Sequence, residues 1–420
     1  MKNNDASFFV GMFLAIRDIK RSNPWTTVLI IFVMTLTFLN MILIGGILVG
    51  LAEGVKSSFR QFYSSDVFIT PSSENIIIKQ SGTVNAVVDT LPTIKAYTQR
   101  FTSPVKVEYG FQYKTKNSDV VESVSGTLVG VNPVAENDVT KLSKEVIEGE
   151  YLDSNDFNSV LLGKSLLTKY GSGPNDANTK KLATVQVGSR IKILVNNIER
   201  EVTVKGIIGT RNNTIDTRIF MIEDAVKDIL NRTLLDSNEI AIKLESGASL
   251  DEAKRYLTNN IENSDDLIIQ TAAEAVPGGS ADITKTFKLL GNMVGAIALV
   301  VGAVTIFIVI FVNAITRRKY IGILKGIGVS ASAIEISYVI QALFYALSGI
   351  VFGSIFILGF LKPFFDVHPL VLPIAEGHLA VTNNDLITGG IILMITSLIS
   401  GFVPARQVTK QNTLDSILGR

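Results

Sequence analysis

Gly163-Lys164-Ser165 has the residue types of a phosphate-binding loop and follows a strand-like stretch, Ser159 to Leu162. Such a loop cradles phosphates on backbone N–H groups and needs a glycine five residues ahead of its Gly-Lys pair, where this chain has Asn158. The pair reads better as the start of a surface helix. His368 and His378 are the two histidines, with Asp366 and Glu376 close by in sequence. A zinc site requires a third protein ligand and groups that orient the imidazoles, which this spacing does not supply. The chain has no cysteine, which excludes a thiolate nucleophile or thiolate metal site. No HExxH and no nucleophile-elbow serine occurs either. The sequence therefore presents no enzyme site of its own and calls for no metal or cofactor within this chain.

The residues with the most to say are cationic. Arg317, Arg318 and Lys319 open the segment Arg317 to Ile334, which lies between two long apolar runs. Lys and Arg concentrate at the cytoplasmic ends of membrane helices, so this segment is expected inside the cell. Within it Tyr320, Ile323, Leu324 and Ile327 recur at helical spacing, with Lys325 off the stripe. Gly322, Gly326 and Gly328 limit its length. Gly328 can end the helix, and Ser330 or Ser332 can cap the next, Ser332 with Glu335 as a capping box. The expectation is a short helix across the membrane surface, a cytoplasmic elbow over 317–334.

The elements that must hold this elbow are apolar. Ser22 to Ala52, Leu289 to Thr316, Ile336 to Leu361 and Leu386 to Ala405 contain no charged residue. The shortest, about 20 residues at roughly 1.5 Å each, just crosses a hydrocarbon core of about 30 Å. A secretory signal would have a shorter apolar region, so the first run reads as a retained crossing. The net charge of +1 in 420 residues argues against a nucleic-acid partner. Positive charge is placed rather than abundant: Lys2, Arg17, Lys20 and Arg21 precede the first run, and Arg406, Lys410 and Arg420 follow the last. Both termini are thus expected in the cytoplasm.

Within 1–23, Phe9, Met12, Phe13 and Ile16 share one helical face, and Arg17, Lys20 and Arg21 cluster at its end, as in an amphipathic helix lying in the membrane surface. Asn23 and Pro24 suit the cap and first turn of the crossing at 24–52. The remaining crossings fall at 286–316, 335–361 and 386–405, with a short external loop at 362–385 and a tail at 406–420. Gly291, Gly295 and Gly302 on the second crossing, and Gly349 and Gly353 on the third, let helix backbones approach closely.

From 53 to 285 the composition becomes that of a water-soluble domain. Val185 to Val195 and Ile198 to Ile208 alternate around Asn196-Asn197, predicting a hairpin. Strands are expected at Asp66 to Thr70, Asn75 to Lys79, Val105 to Tyr109, Val120 to Val131, Ser159 to Leu162, Arg218 to Ile222 and Glu239 to Leu244. Helices are expected at Val84 to Arg100, Glu223 to Leu230 and Leu250 to Ile261. Thr271 to Ser280 reads as a hinge. The fold class expected is a membrane protein with four transmembrane α-helices and a large α+β extracytoplasmic domain inserted between helices 1 and 2.

This order of parts resembles the MacB, LolC and FtsX type of ABC-transporter permease. LAIRDIKRSNP at Leu14 to Pro24 resembles the family's N-terminal helix, RRKYIGILKGIGVS at Arg317 to Ser330 its coupling helix, Gly149 to Gly171 and Val187 to Ile207 its external core domain, and Pro404 to Leu418 its C-terminal tail. Two departures stand out: Tyr320 where the family usually has glutamate, and Thr413 where it usually has proline. The resemblance implies a permease of a prokaryotic cytoplasmic membrane without its own ATPase. It implies a separate cytoplasmic ATP-binding subunit that binds ATP and Mg, a second permease chain in a homo- or heterodimer, and an external adaptor or substrate protein. The ATPase-coupling segment carried over is Arg317, Arg318, Lys319, Tyr320, Ile321, Ile323, Leu324, Lys325, Gly326, Ile327 and Gly328, with Ile321, Leu324 and Ile327 expected in an apolar groove of the partner. The function implied is export or extraction of a peptide, lipoprotein, lipid or amphipathic drug. The alternatives are a non-transporting complex that regulates a cell-wall hydrolase or sensor, and an ATPase-independent membrane receptor or scaffold.

Overall fold

The computed structural model describes residues 2–72, 75–113, 121–171, 180–210, 212–231, 236–276, 280–372 and 375–410. The chain divides into a helical unit and a large domain.

Among the described residues four helices are long and apolar enough to span a bilayer, Pro24–Ser64, Thr284–Thr316, Ala331–Val367 and Asn383–Thr409; the helical unit takes the first as far as Ala52 and the other three whole. The first opens as its residues dictate, with the Trp25 N–H donating to Asn23 Oδ1 at 3.1 Å and Pro24 in the first turn. It is the axle of the unit. Met34 and Phe38 are fully buried, and the other three crossings meet it at glycines. A Cβ on Gly291 would stand 3.0 Å from the Gly45 Cα, one on Gly302 2.7 Å from Thr37, one on Gly349 2.7 Å from Met34, and one on Gly353 2.6 Å from Phe38. These glycines, with Gly295 against Met41, are therefore engaged inside this chain. Gly291→Leu is expected to cost about 1–3 kcal/mol through overpacking. An unchanged thermal midpoint in detergent would refute that packing.

The helix Lys2–Arg21 packs on the third crossing through Gly11 and Ala15, while Phe9, Met12, Phe13 and Ile16 are exposed. Two boundaries differ from expectation. The third crossing continues through a π-helical turn, Ile357–Leu361, into Lys362–Val367, so the loop placed at 362–385 begins as helix. The fourth, capped by Thr382 and Asp385 in a capping box, runs on through Pro404 to Thr409 and takes in the start of the expected tail.

The large domain is built on one ten-stranded sheet. Its strands are β1 (Val67–Pro71), β2 (Ile94–Tyr109), β3 (Glu122–Val131), β4 (Val146–Gly149), β5 (Ser159–Gly163), β6 (Arg190–Val195), β7 (Ile198–Ile208), β8 (Arg218–Ile222), β9 (Glu239–Leu244) and β10 (Leu267–Thr271). The order is β10-β1-β9-β2-β3-β8-β5-β7-β4, with β6 pairing β2 and β7. Asn196 and Asn197 both take positive φ, 48° and 67°, in the two-residue turn between β6 and β7. Two cores share this sheet. One gathers Val67, Ile69, Ile240 and Ile242 under the helices Ser81–Asp89 and Leu250–Asn260; the other gathers Phe101, Leu128, Leu161, Ile219 and Phe220.

Three expectations are corrected here. The helix placed at Val84 to Arg100 stops at Asp89, and β2 begins at Ile94. Pro92 disfavours helix at the preceding residue, and β9 then recruits 94–100 as a strand, overriding local propensity. Asn75 to Lys79 makes only a single bridge, Ile78 to Ser237. The first hairpin strand begins at Arg190 rather than Val185. Val120 and part of the Thr271 to Ser280 hinge lie outside the described residues. The helix Pro133–Thr140, with Asn132 Oδ1 accepting from the Val134 and Ala135 N–H groups, and the strands β4 and β10 were not anticipated.

Candidate functional site

The elbow forms the helix Arg318–Gly326, with Arg317 at its cap position. Its charges are partly used within the chain. Arg317 Nη1 donates to Asp18 Oδ1 at 2.6 Å, tying the elbow to the N-terminal helix. Lys325 Nζ donates to the Thr409 carbonyl at 2.9 Å at the end of the fourth crossing, where the helix dipole favours a cation. Thr409 Oγ1 in turn donates to Glu335 Oε1 at 2.6 Å. Ser330, rather than Ser332, caps the third crossing, accepting from the Ala333 N–H at 3.3 Å, and its hydroxyl lies 3.0 Å from that of Ser7. The elbow is thus braced at both ends, and the Ser332–Glu335 capping box is replaced by these contacts.

Its apolar residues divide between two faces. Ile321 is 3% exposed, Gly322 is buried, and Leu324 packs on the core of the helical unit. Tyr320, Ile323 and Ile327 are 43%, 52% and 74% exposed, at i, i+3 and i+7, with Lys319 also exposed. The expected outward set of Ile321, Leu324 and Ile327 is therefore corrected to Tyr320, Ile323 and Ile327. Arg318 is half-buried. Gly326 faces open space, whereas Gly328 holds φ at +96°. Gly326→Ala is expected to leave stability within about 1 kcal/mol, and Gly328→Ala to cost about 1–2 kcal/mol from backbone strain alone. Equal melting temperatures for the two variants would count against this assignment.

The other candidate features resolve into structural roles. Lys164 Nζ pairs with Asp216 Oδ2 at 3.3 Å, and a Cβ on Gly163 would meet the Asp216 carbonyl at 2.2 Å, so the Gly-Lys-Ser triplet is a strand-to-loop packing point. It opens a single 3-10 turn, Lys164–Leu166, in place of the surface helix expected there. His368 stacks on Phe364 at 5.0 Å between ring centroids, and no group of three or more His, Asp or Glu capable of holding a metal occurs among the described residues.

A buried charge cluster in the large domain escaped sequence reasoning. Arg100 donates through Nε and Nη2 to Glu136 at 2.9 and 2.8 Å, and through Nη1 to the Tyr63 carbonyl at 2.6 Å. Arg218 grips Glu239 with two bonds at 3.0 and 2.8 Å and lies 4.6 Å from the Tyr63 ring centroid. Arg100 also reaches Glu239 at 3.4 Å, and Thr98 and Thr140 complete the shell of Glu136. Burial works against the charges of Arg100, Arg218 and Glu239. The paired carboxylates outweigh it and hold both guanidinium groups above their ordinary range, while Arg218 and Arg100 hold the Glu239 carboxyl below its own. Both carboxylates are bridged by arginine, so the cluster offers no open position for chemistry. It joins β2, β8, β9 and the helix Pro133–Thr140 to the π-helical turn Arg60–Ser64. A sequence signal existed: Arg218 opens the otherwise apolar strand β8, and Glu239 stands ahead of the apolar Ile240-Ala241-Ile242 in β9.

Comparison with known proteins follows this architecture. The MacB-like periplasmic core domain matches residues 27–260, and the FtsX-like permease C-terminal domain matches residues 292–413. An uncharacterized ABC transporter permease of Methanocaldococcus jannaschii is 26% identical over 285 residues, 66% of this chain and 66% of its own length. The ABC transporter permease YtrF of Bacillus subtilis is 26% identical over 211 residues, 48% of each chain. The probable syringafactin export ATP-binding/permease protein SyfD of Pseudomonas syringae is 24% identical over 240 residues, 54% of this chain and 34% of its own length. The match thus spans less than two thirds of each relative. With one family domain covering more than half of the chain and a second covering the last three crossings, this multi-pass membrane protein belongs to the MacB/FtsX family of ABC-transporter permeases.

Proposed function

We propose that the chain is a permease subunit that couples ATP hydrolysis on a separate cytoplasmic ATP-binding subunit to motion of its external domain. The observation that carries this reading is the elbow, braced by Asp18 and Thr409 while Tyr320, Ile323 and Ile327 stand outward beside Lys319. An apolar stripe on a stiffly held helix suits a groove on a partner and passes force to the helices on either side. The partner binds ATP and Mg; this chain supplies the docking surface. Arg317 and Lys325 act as internal braces, and Arg318, Gly326 and Gly328 shape the segment. Phe9, Met12, Phe13 and Ile16 enter the cytoplasmic leaflet, with Arg17, Lys20 and Arg21 at its headgroups. Both termini lie in the cytoplasm, and two permease chains pair with the ATPase. The names of relatives, among them a probable syringafactin export protein, support export as the activity.

The test is affinity purification of the full chain in mild detergent, with mass spectrometry and an ATPase assay on the eluate. A stoichiometric ATP-binding subunit with hydrolysis is the expected result. A chain that purifies alone, without hydrolysis, would remove the coupling reading.

A further inference from the structure

The large domain contains a cleft of about 310 Å³ whose lining includes Ser57, Arg60, Lys243, Ser246 and Gly247. That volume is at the small end of ligand pockets and admits a headgroup-sized or phosphate-ester group. Its two carboxylates do not make it an acidic site. Asp66 accepts from Arg60 Nε at 2.8 Å on one oxygen and from the Leu244 N–H at 2.9 Å on the other, and Glu245 is exposed at the rim. Its cations keep donor capacity. Arg60 offers Asp66 one edge of a five-donor guanidinium whose side chain is 55% exposed. Lys243 gives the Val139 carbonyl one N–H at 3.0 Å from an ammonium that carries three.

Further cations act on Lys243 from outside the cleft lining. Lys243 is half-buried, and its ammonium is held below the usual lysine range, first by burial and then by Lys141, Lys95 and Arg60, with Asp66 opposing. Three cations from separate parts of the chain, namely the π-helical turn, β2 and the residue after the helix Pro133–Thr140, thus act on Lys243 of β9, with Asp66 acting against them. Like charges brought together at a cleft lower its affinity for cations and raise it for anions. Serine hydroxyls from Ser57 and Ser246 supply neutral donors on its wall.

We propose that this cleft binds a phosphate-bearing anion, held by Lys243 and Arg60 and by the hydroxyls of Ser57 and Ser246. Phosphate fits because its oxygens accept from an ammonium and a guanidinium edge together. The group could be a free phosphate ester or a lipid headgroup, and the two sources are separable by experiment. This site is independent of any ATPase partner, and its test requires none.

The full chain in uncharged detergent would be titrated with inorganic phosphate and with glycerol phosphate by calorimetry. Saturable binding is expected, weakened about tenfold in Lys243→Gln and further in Lys243→Gln with Arg60→Gln. Because Arg60 also steadies Asp66, Lys141→Gln serves as a second variant: it lines no part of the cleft, keeps the fold, and is expected to weaken binding by a smaller factor that fades at high salt. In parallel, native mass spectrometry of chain released from phosphatidylglycerol and phosphatidylcholine nanodiscs would count retained lipid. Retention of phosphatidylglycerol that is lost in Lys243→Gln and displaced by phosphate assigns the site to a headgroup. Phosphate binding with no lipid preference assigns it to a soluble ester. Absence of saturable binding, or equal affinity in wild type and Lys243→Gln, overturns the proposal.

Discussion

Glu239→Ala lowers the unfolding free energy of the large domain by about 3–5 kcal/mol, because it strands the buried Arg218 guanidinium and leaves Arg100 with Glu136 as its one carboxylate. Denaturant unfolding of the full chain in detergent, followed by Trp-independent probes such as far-ultraviolet circular dichroism, measures it. A loss below about 1 kcal/mol, the range of exposed ion pairs, would mean that the cluster is solvated rather than buried. The same residue sets a pH dependence. Its carboxyl lies below the ordinary range in the fold despite burial, through Arg218 and Arg100. The stability it contributes is therefore fully present above the unfolded value, near pH 4.3, and is lost as pH falls through the lower folded value. Glu239→Gln removes that part of the acid sensitivity, so the difference between the two chains narrows as pH drops below about 4. A constant difference from pH 7 down to 3 would be inconsistent with the pairing described.

Ile323→Asp together with Ile327→Asp reduces capture of the ATP-binding subunit by roughly 30-fold or more, the effect of losing anchors worth at least about 2 kcal/mol. Insertion and melting temperature stay near wild type, since both side chains are exposed. Ile321→Ala does the opposite. It empties a buried position, costs about 2–5 kcal/mol of stability, and leaves capture by the surviving folded fraction unchanged. The contrast between the two variants is the reading: if Ile321→Ala abolishes capture while the double aspartate variant retains it, the docking face has been placed on the wrong side of the elbow.

What could be read ahead of the structure follows from how local each signal is. Uncharged runs long enough to cross a bilayer declare themselves without knowledge of their neighbours, and the hairpin at Asn196-Asn197 declares itself by two residues that accept positive φ. The faces of the elbow did not. Tyr320, Ile323, Leu324 and Ile327 form one helical stripe, but with Ile321 also apolar the helix has greasy residues on both sides, and only packing decides which are covered. Residues 94–100 were illegible for a related reason: their composition permits helix, and β9, distant in sequence, settles the matter. The charge cluster depends on five separated segments meeting, and no spacing along the chain encodes that. Its outward trace, Arg218 at the head of the apolar strand β8, resembles an ordinary strand end.

The first crossing meets a glycine of another helix about once per turn: Gly349 at Met34, Gly302 at Thr37, Gly353 at Phe38, Gly389 at Ile42 and Gly291 at Gly45. Such an arrangement behaves as a set of detents. A slip of one residue, about 1.5 Å, lifts Phe38 and Met34 out of their notches and against side chains that stand beside the glycines. The next matching register is about one turn, or 5.4 Å, away. Small continuous sliding of this helix is therefore opposed at several levels at once. Force applied at either end is carried by the bundle tilting as a block, or released in a step of a whole turn.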